Sequence, residues 1–72
     1  MITDIINNIK YKKSEAKSCD AIEVYEVSFQ GVEVGDVLID EDFGLDWAAA
    51  KASALSLVEA AIDAFPKAFK TA

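Results

Sequence analysis

The groups able to do chemistry in this chain are almost all carboxylates. Thirteen Asp or Glu stand against seven Lys, with no Arg and no His, for a formal charge of −6 over 72 residues. Without an imidazole, the usual base of Ser-His or Cys-His nucleophilic catalysis is missing; without a guanidinium, so is the bidentate phosphate fork. Paired carboxylates perform acid–base work only when one is buried in a pocket and the other is kept ionised. A chain this short builds little depth for such a pocket. Ser53 and Ser56, near Lys51, fall on a helical stretch with no visible oxyanion donors. An enzyme is not expected.

Metal chemistry deserves a closer test. Asp40, Asp42 and Asp46 alternate around Gly44, as the acids opening a calcium loop do. That pattern then requires Asp or Asn at its fifth position, Gly at its sixth and Glu at its twelfth. Gly44, Leu45 and Lys51 stand there instead. The segment reads as a solvated strand-to-helix turn with Asp46 as the cap, and neither metal nor cofactor is expected. Cys19 is the only cysteine, so no intramolecular disulfide closes, and Asp20 beside it disfavours a reactive thiolate. No apolar run approaches the roughly 18 residues of a membrane span, and the start of the chain lacks the basic-then-apolar order of a signal peptide. A cytoplasmic protein is the expectation, with no membrane association.

The distribution of charge carries more than its sum. Residues 20–46 hold nine acids and no lysine, a net −9, whereas residues 1–19 carry +2 and residues 47–72 carry +1. Such a chain does not neutralise a phosphate backbone, so direct nucleic-acid binding is not expected. Solubility explains some of the excess, but mixed signs serve solubility equally well. A carboxylate field of this extent also steers cationic partners and speeds their association.

Four stretches must position these groups. Ile2, Ile5, Ile6 and Ile9 fall on one face of a short helix, with Thr3 as its cap and Asp4 at its positive end. Lys10, Lys12, Lys13 and Lys17 then belong to its last turn and a solvated connection; an N-terminal strand is the rival reading. Residues 22–29 and 32–39 are rich in β-branched and aromatic side chains and flank Gln30-Gly31, which predicts an antiparallel hairpin. A two-residue loop sets Phe29 opposite Val32. The apolar face then switches sides along the pair, and a β-bulge at Gly35-Asp36 repairs it by gathering Val32, Val34, Val37 and Ile39 on one face. From Trp47 to about Phe65 a long helix follows Asp46 and ends at Pro66, with Trp47, Ala54, Leu55, Val58, Ala61, Ile62 and Phe65 as its stripe and Phe69 extending it. The expectation is a single α+β domain over residues 1–72, in the order α-β-β-α, with the hairpin packed against both helices.

This chain resembles phage-encoded inhibitors, anti-CRISPR proteins and DNA mimics among them, in size and acidity alone, and the resemblance assigns no residue. The first functional expectation is a non-enzymatic module that engages a basic site on a larger, possibly nucleic-acid-binding, protein. Glu23, Glu26, Glu33, Asp36, Asp40, Glu41 and Asp42 supply the field, with Tyr25 or Trp47 as a candidate anchor. The alternative is a structural or assembly subunit, phage-particle-like, that self-associates, as a homodimer for example, through the alanine-rich helix or an open strand edge.

Overall fold

The computed structural model describes residues 2–69, and side chains from Ile5 onward. The capping roles expected of Thr3 and Asp4 lie outside the described side chains. The elements are α1 (Ile2–Asn8), β1 (Ile9–Lys13), β2 (Glu23–Phe29), β3 (Val32–Ile39) and α2 (Trp47–Ala64), with 3-10 turns at Glu41–Phe43 and Pro66–Ala68. The α+β class stands as read from the sequence, but the order is α-β-β-β-α: residues 9–13, expected to end a helix and begin a connection, form a strand. Their alternation of Ile9 and Tyr11 with Lys10 and Lys12 has the period of a strand. Ile9 satisfies the helical spacing from Ile2 as well, but its side chain is buried in the core beside the sheet.

The three strands form one antiparallel sheet in the order β1-β2-β3. Ile9 lies opposite Phe29 and Tyr11 opposite Val27, while Phe29 faces Val32 across the hairpin turn. Gln30 (φ 53°) and Gly31 (φ 79°) both adopt the left-handed backbone of a type I′ turn, which matches the twist of the flanking strands. Farther along, Ser28 pairs with Glu33 but Val27 with Gly35, so Val34 is the extra residue of a bulge. The bulge stands beside Gly35 as expected, one position before the Gly35-Asp36 pair. It turns Val37 and Ile39 into the core, leaves Val34 half-buried against it, and leaves Val32 at the margin, 37% exposed.

Helix α2 covers the inner face of the sheet. The Asp46 carboxylate accepts a hydrogen bond from the Ala49 backbone N–H at 3.1 Å, so the expected cap is in place. Ala50, Ala54 and Val58 are buried with Ile9, Val27, Phe29, Val37 and Ile39. Small residues at 50 and 54 let the helix approach the strands closely. Trp47 and Phe65, expected in the apolar stripe, remain 38% and 66% exposed at the helix ends, while Phe69 returns to the core with its ring 5.8 Å from that of Phe29. Among the described residues no helix is long and apolar enough to cross a membrane.

Candidate functional site

Because α2 and the core occupy one face of the sheet, alternation leaves Lys10, Lys12, Val24, Glu26, Ser28, Glu33, Asp36 and Leu38 on the other. In an uninterrupted strand, Glu33 and Asp36 would point to opposite faces, since they are three residues apart. The bulge at Val34 puts both on the outer face, where Asp36 lies opposite Glu26. Carboxylate oxygens of Glu26, Glu33 and Asp36 lie within 4.8 Å of one another. Glu26 is half-buried; the other two are exposed.

Among the described residues, Lys17 is the cation paired with this cluster. The Lys17 ammonium donates a hydrogen bond to Asp36 Oδ2 at 2.9 Å and lies 3.9 Å from Glu26 Oε2. That hydrogen bond, reinforced by the charge of Asp36, raises the Lys17 pKa above its ordinary value. Lys17 is carried by the connection over residues 14–22. This segment is tied to β2 by the Ser14 N–H donating to the Val24 carbonyl at 2.8 Å and the Val24 N–H donating to Ser18 Oγ at 2.9 Å. Among the described residues, the three carboxylates share one ion-paired ammonium, that of Lys17. The chemistry is that of a cradle for an exposed lysine or arginine side chain.

The remaining acids singled out from the sequence go elsewhere. Glu23 accepts from Tyr25 Oη at 3.5 Å and pairs with Lys13 at 3.3 Å, an interaction that raises the Lys13 pKa, with Glu15 adding to it. Glu23, Glu41 and Asp42 join Glu15 and Asp20 around an open cleft of about 670 Å³ at the end of the sheet, with Lys13 the one cation in its lining. Asp40 is enclosed at 6% exposure, and its Oδ1 has no hydrogen-bond partner among the described residues. Its backbone is fully used: the Asp40 N–H donates to the Leu45 carbonyl at 2.8 Å, and the Leu45 N–H returns to the Asp40 carbonyl at 2.9 Å. The seven acids thus form an outer-face trio, a cleft trio and one buried carboxylate.

Sequence reasoning missed the cations that share this sheet. Lys10 and Lys12 stand on β1, with Lys12 directly opposite Glu26, so the outer face grades from basic at β1 to acidic at β3. The acidic hairpin is therefore flanked by a basic strand, where a basic helix end was expected. The alternation of residues 9–12 was the available signal. Trp47 sits against Tyr25 (ring centroids 4.7 Å apart) and Tyr11 (5.4 Å, interplanar angle 86°), and burial raises the Tyr11 pKa. This aromatic group belongs to the inner side and takes no part in the acidic face. No protein family, curated protein or solved structure matches the chain.

Proposed function

We propose that this protein is a non-enzymatic binding module whose acidic sheet face engages a basic surface of a larger protein. The observation that carries the reading is the clustering of Glu26, Glu33 and Asp36 by the Val34 bulge on the sheet face opposite α2, where Glu33 and Asp36 are exposed. Clustering like charges opposes folding unless counter-cations are supplied, and among the described residues Lys17 is the one ion-paired with the trio. The absence of His and Arg supports the non-enzymatic part of the reading. A cytoplasmic module of this kind would act by occupancy, as inhibitors and DNA mimics do.

The test is affinity capture from the native cell lysate with the wild-type chain and with Glu26→Lys, Glu33→Lys and Asp36→Lys combined. The expected result is a retained protein with a basic surface that the reversed variant fails to hold, while both chains give the same far-UV spectrum. Equal retention by the two chains would reject the reading.

A further inference from the structure

We infer that the partner presents an extended, lysine- or arginine-bearing segment that adds to the open edge of β3 as a fourth strand. This rests on the acidic-face reading and specifies the shape of what is bound. The direction of each backbone group along β3 follows from the hydrogen bonds of β2. Val24 turns its N–H and C=O toward the β1 side, to Ser18 Oγ and the Ser14 N–H. By alternation, Glu23 and Tyr25 turn theirs toward β3, where they meet Ile39 and Val37. Asp36, Leu38 and Asp40 must then direct their backbone groups away from β2, to the edge of the sheet.

The chain itself uses one of these three positions. Leu45 makes a two-bond antiparallel bridge to Asp40, after which Asp46 caps α2 and carries the chain off the edge. The ladder so begun has its next two rungs, Leu38 and Asp36, unfilled among the described residues. Beside them runs a groove of about 240 Å³ lined by Asp36, Val37, Leu38, Leu45, Ala49, Ala50 and Ser53, with Leu38 48% and Leu45 38% exposed. The edge thus offers paired donors and acceptors, a shallow apolar seat on the helix side, and carboxylates on the outer side.

These features prescribe the occupant. A residue opposite Asp36 shares its outer face, within reach of the Glu26–Glu33–Asp36 cluster, and is therefore cationic. The residue opposite Val37 points to the helix side and is a small or medium apolar group. A cation opposite Leu38 lays its methylene stem over that side chain. Main-chain bonds supply affinity and the alternating side chains supply choice, as in other strand-addition interfaces. A second copy of β3 is a poor occupant, because it would bring Glu33 and Asp36 of both chains together.

The probe is a short synthetic peptide alternating lysine with valine, blocked at both ends, and the readout is amide hydrogen exchange of the full chain by NMR. On saturation, the Asp36 and Leu38 amides are expected to slow about tenfold or more, whereas those of Val37 and Ile39, already bonded to β2, stay unchanged. Peptide N-methylated at the residues that bond β3 should bind about fivefold or more weakly than peptide methylated at the alternate residues. Leu38→Pro removes an edge donor without touching the β2 ladder and should have the same effect. If the peptide shifts the carboxylate residues but leaves the Asp36 and Leu38 amides unprotected, strand addition is wrong while the acidic-face reading stands. No binding at all refutes strand addition and counts against the acidic face. Concentration-dependent protection of these amides without peptide would assign the edge to a second copy and overturn the proposal.

Discussion

Replacing Gly35 with alanine tests the junction on which the acidic face depends. Gly35 has φ +154°, a backbone conformation that L side chains rarely adopt, and it directly follows the bulged Val34. A Cβ there would stand 3.0 Å from Leu57 Cδ1 and 3.1 Å from Cδ2. The backbone term is about 1–3 kcal/mol. Leu57 is a flexible branch able to yield, and moving it off its rotamer adds about 0.5–1.5 kcal/mol. The expected loss is therefore about 2–4 kcal/mol, set against the roughly 3–5 kcal/mol that a core of this size supplies. At about 4–8 °C per kcal/mol, the thermal midpoint falls by about 8–32 °C. Urea unfolding followed by Trp47 fluorescence measures the free-energy loss, and a thermal scan by the same probe the midpoint, since that indole packs on both Tyr11 and Tyr25. Gly31→Ala is the control: its φ is +79° but nothing lies within 4 Å of the added carbon, so only a backbone cost of about 1–2 kcal/mol is expected. Adding Leu57→Ala to Gly35→Ala should show coupling of about 1 kcal/mol. A Gly35→Ala variant within about 0.5 kcal/mol of wild type would refute the reasoning.

Two further predictions concern the elements that frame the face. Asp46→Ala should cost about 1 kcal/mol in urea unfolding, because the Ala49 N–H loses its acceptor at the start of α2; an unchanged midpoint would mean that the cap contributes nothing. The Lys17 ammonium, held by Asp36, should titrate above the ordinary lysine value in NMR of its Nζ group and fall back in Asp36→Asn. A raised folded pKa places the stabilisation that the Lys17 titration contributes below the unfolded lysine value and removes it as pH climbs through the folded one, on the alkaline side. A Lys17 titration identical in Asp36→Asn would show that the pair does not persist in solution.

Much of this architecture was legible in the residues, and the exceptions have physical causes. The hairpin announced itself through β-branched strands around Gln30-Gly31, and the switch of its apolar face announced the bulge. The shared face of Glu33 and Asp36 was not read from the residues; it follows from the register of the bulge, with Val34 as the extra residue. A strand near the N-terminus was only the rival reading, because Ile9 satisfies a helical and a strand spacing at once and the five residues of β1 are too few for period alone to decide. The Lys17–Asp36 pair spans 19 positions and depends on the folding of residues 14–22, which no local pattern dictates. The enclosure of Asp40 follows from the Leu45 bridge, a tertiary event in a segment that reads as a solvated turn. Trp47 and Phe65 fit the helical stripe yet stay partly outside, because the narrow sheet beneath α2 is covered by its central residues.

The central claim is that the Glu26–Glu33–Asp36 face binds a basic protein surface through charge. Its most direct measurement is the affinity of the captured partner for the wild-type chain and for Glu26→Gln, Glu33→Gln and Asp36→Asn combined, at low and physiological salt. The wild-type complex is expected to weaken about tenfold or more as salt rises, and the neutralised chain to bind at least as weakly at low salt and respond little to salt. Equal affinities for the two chains, unmoved by salt, would contradict it.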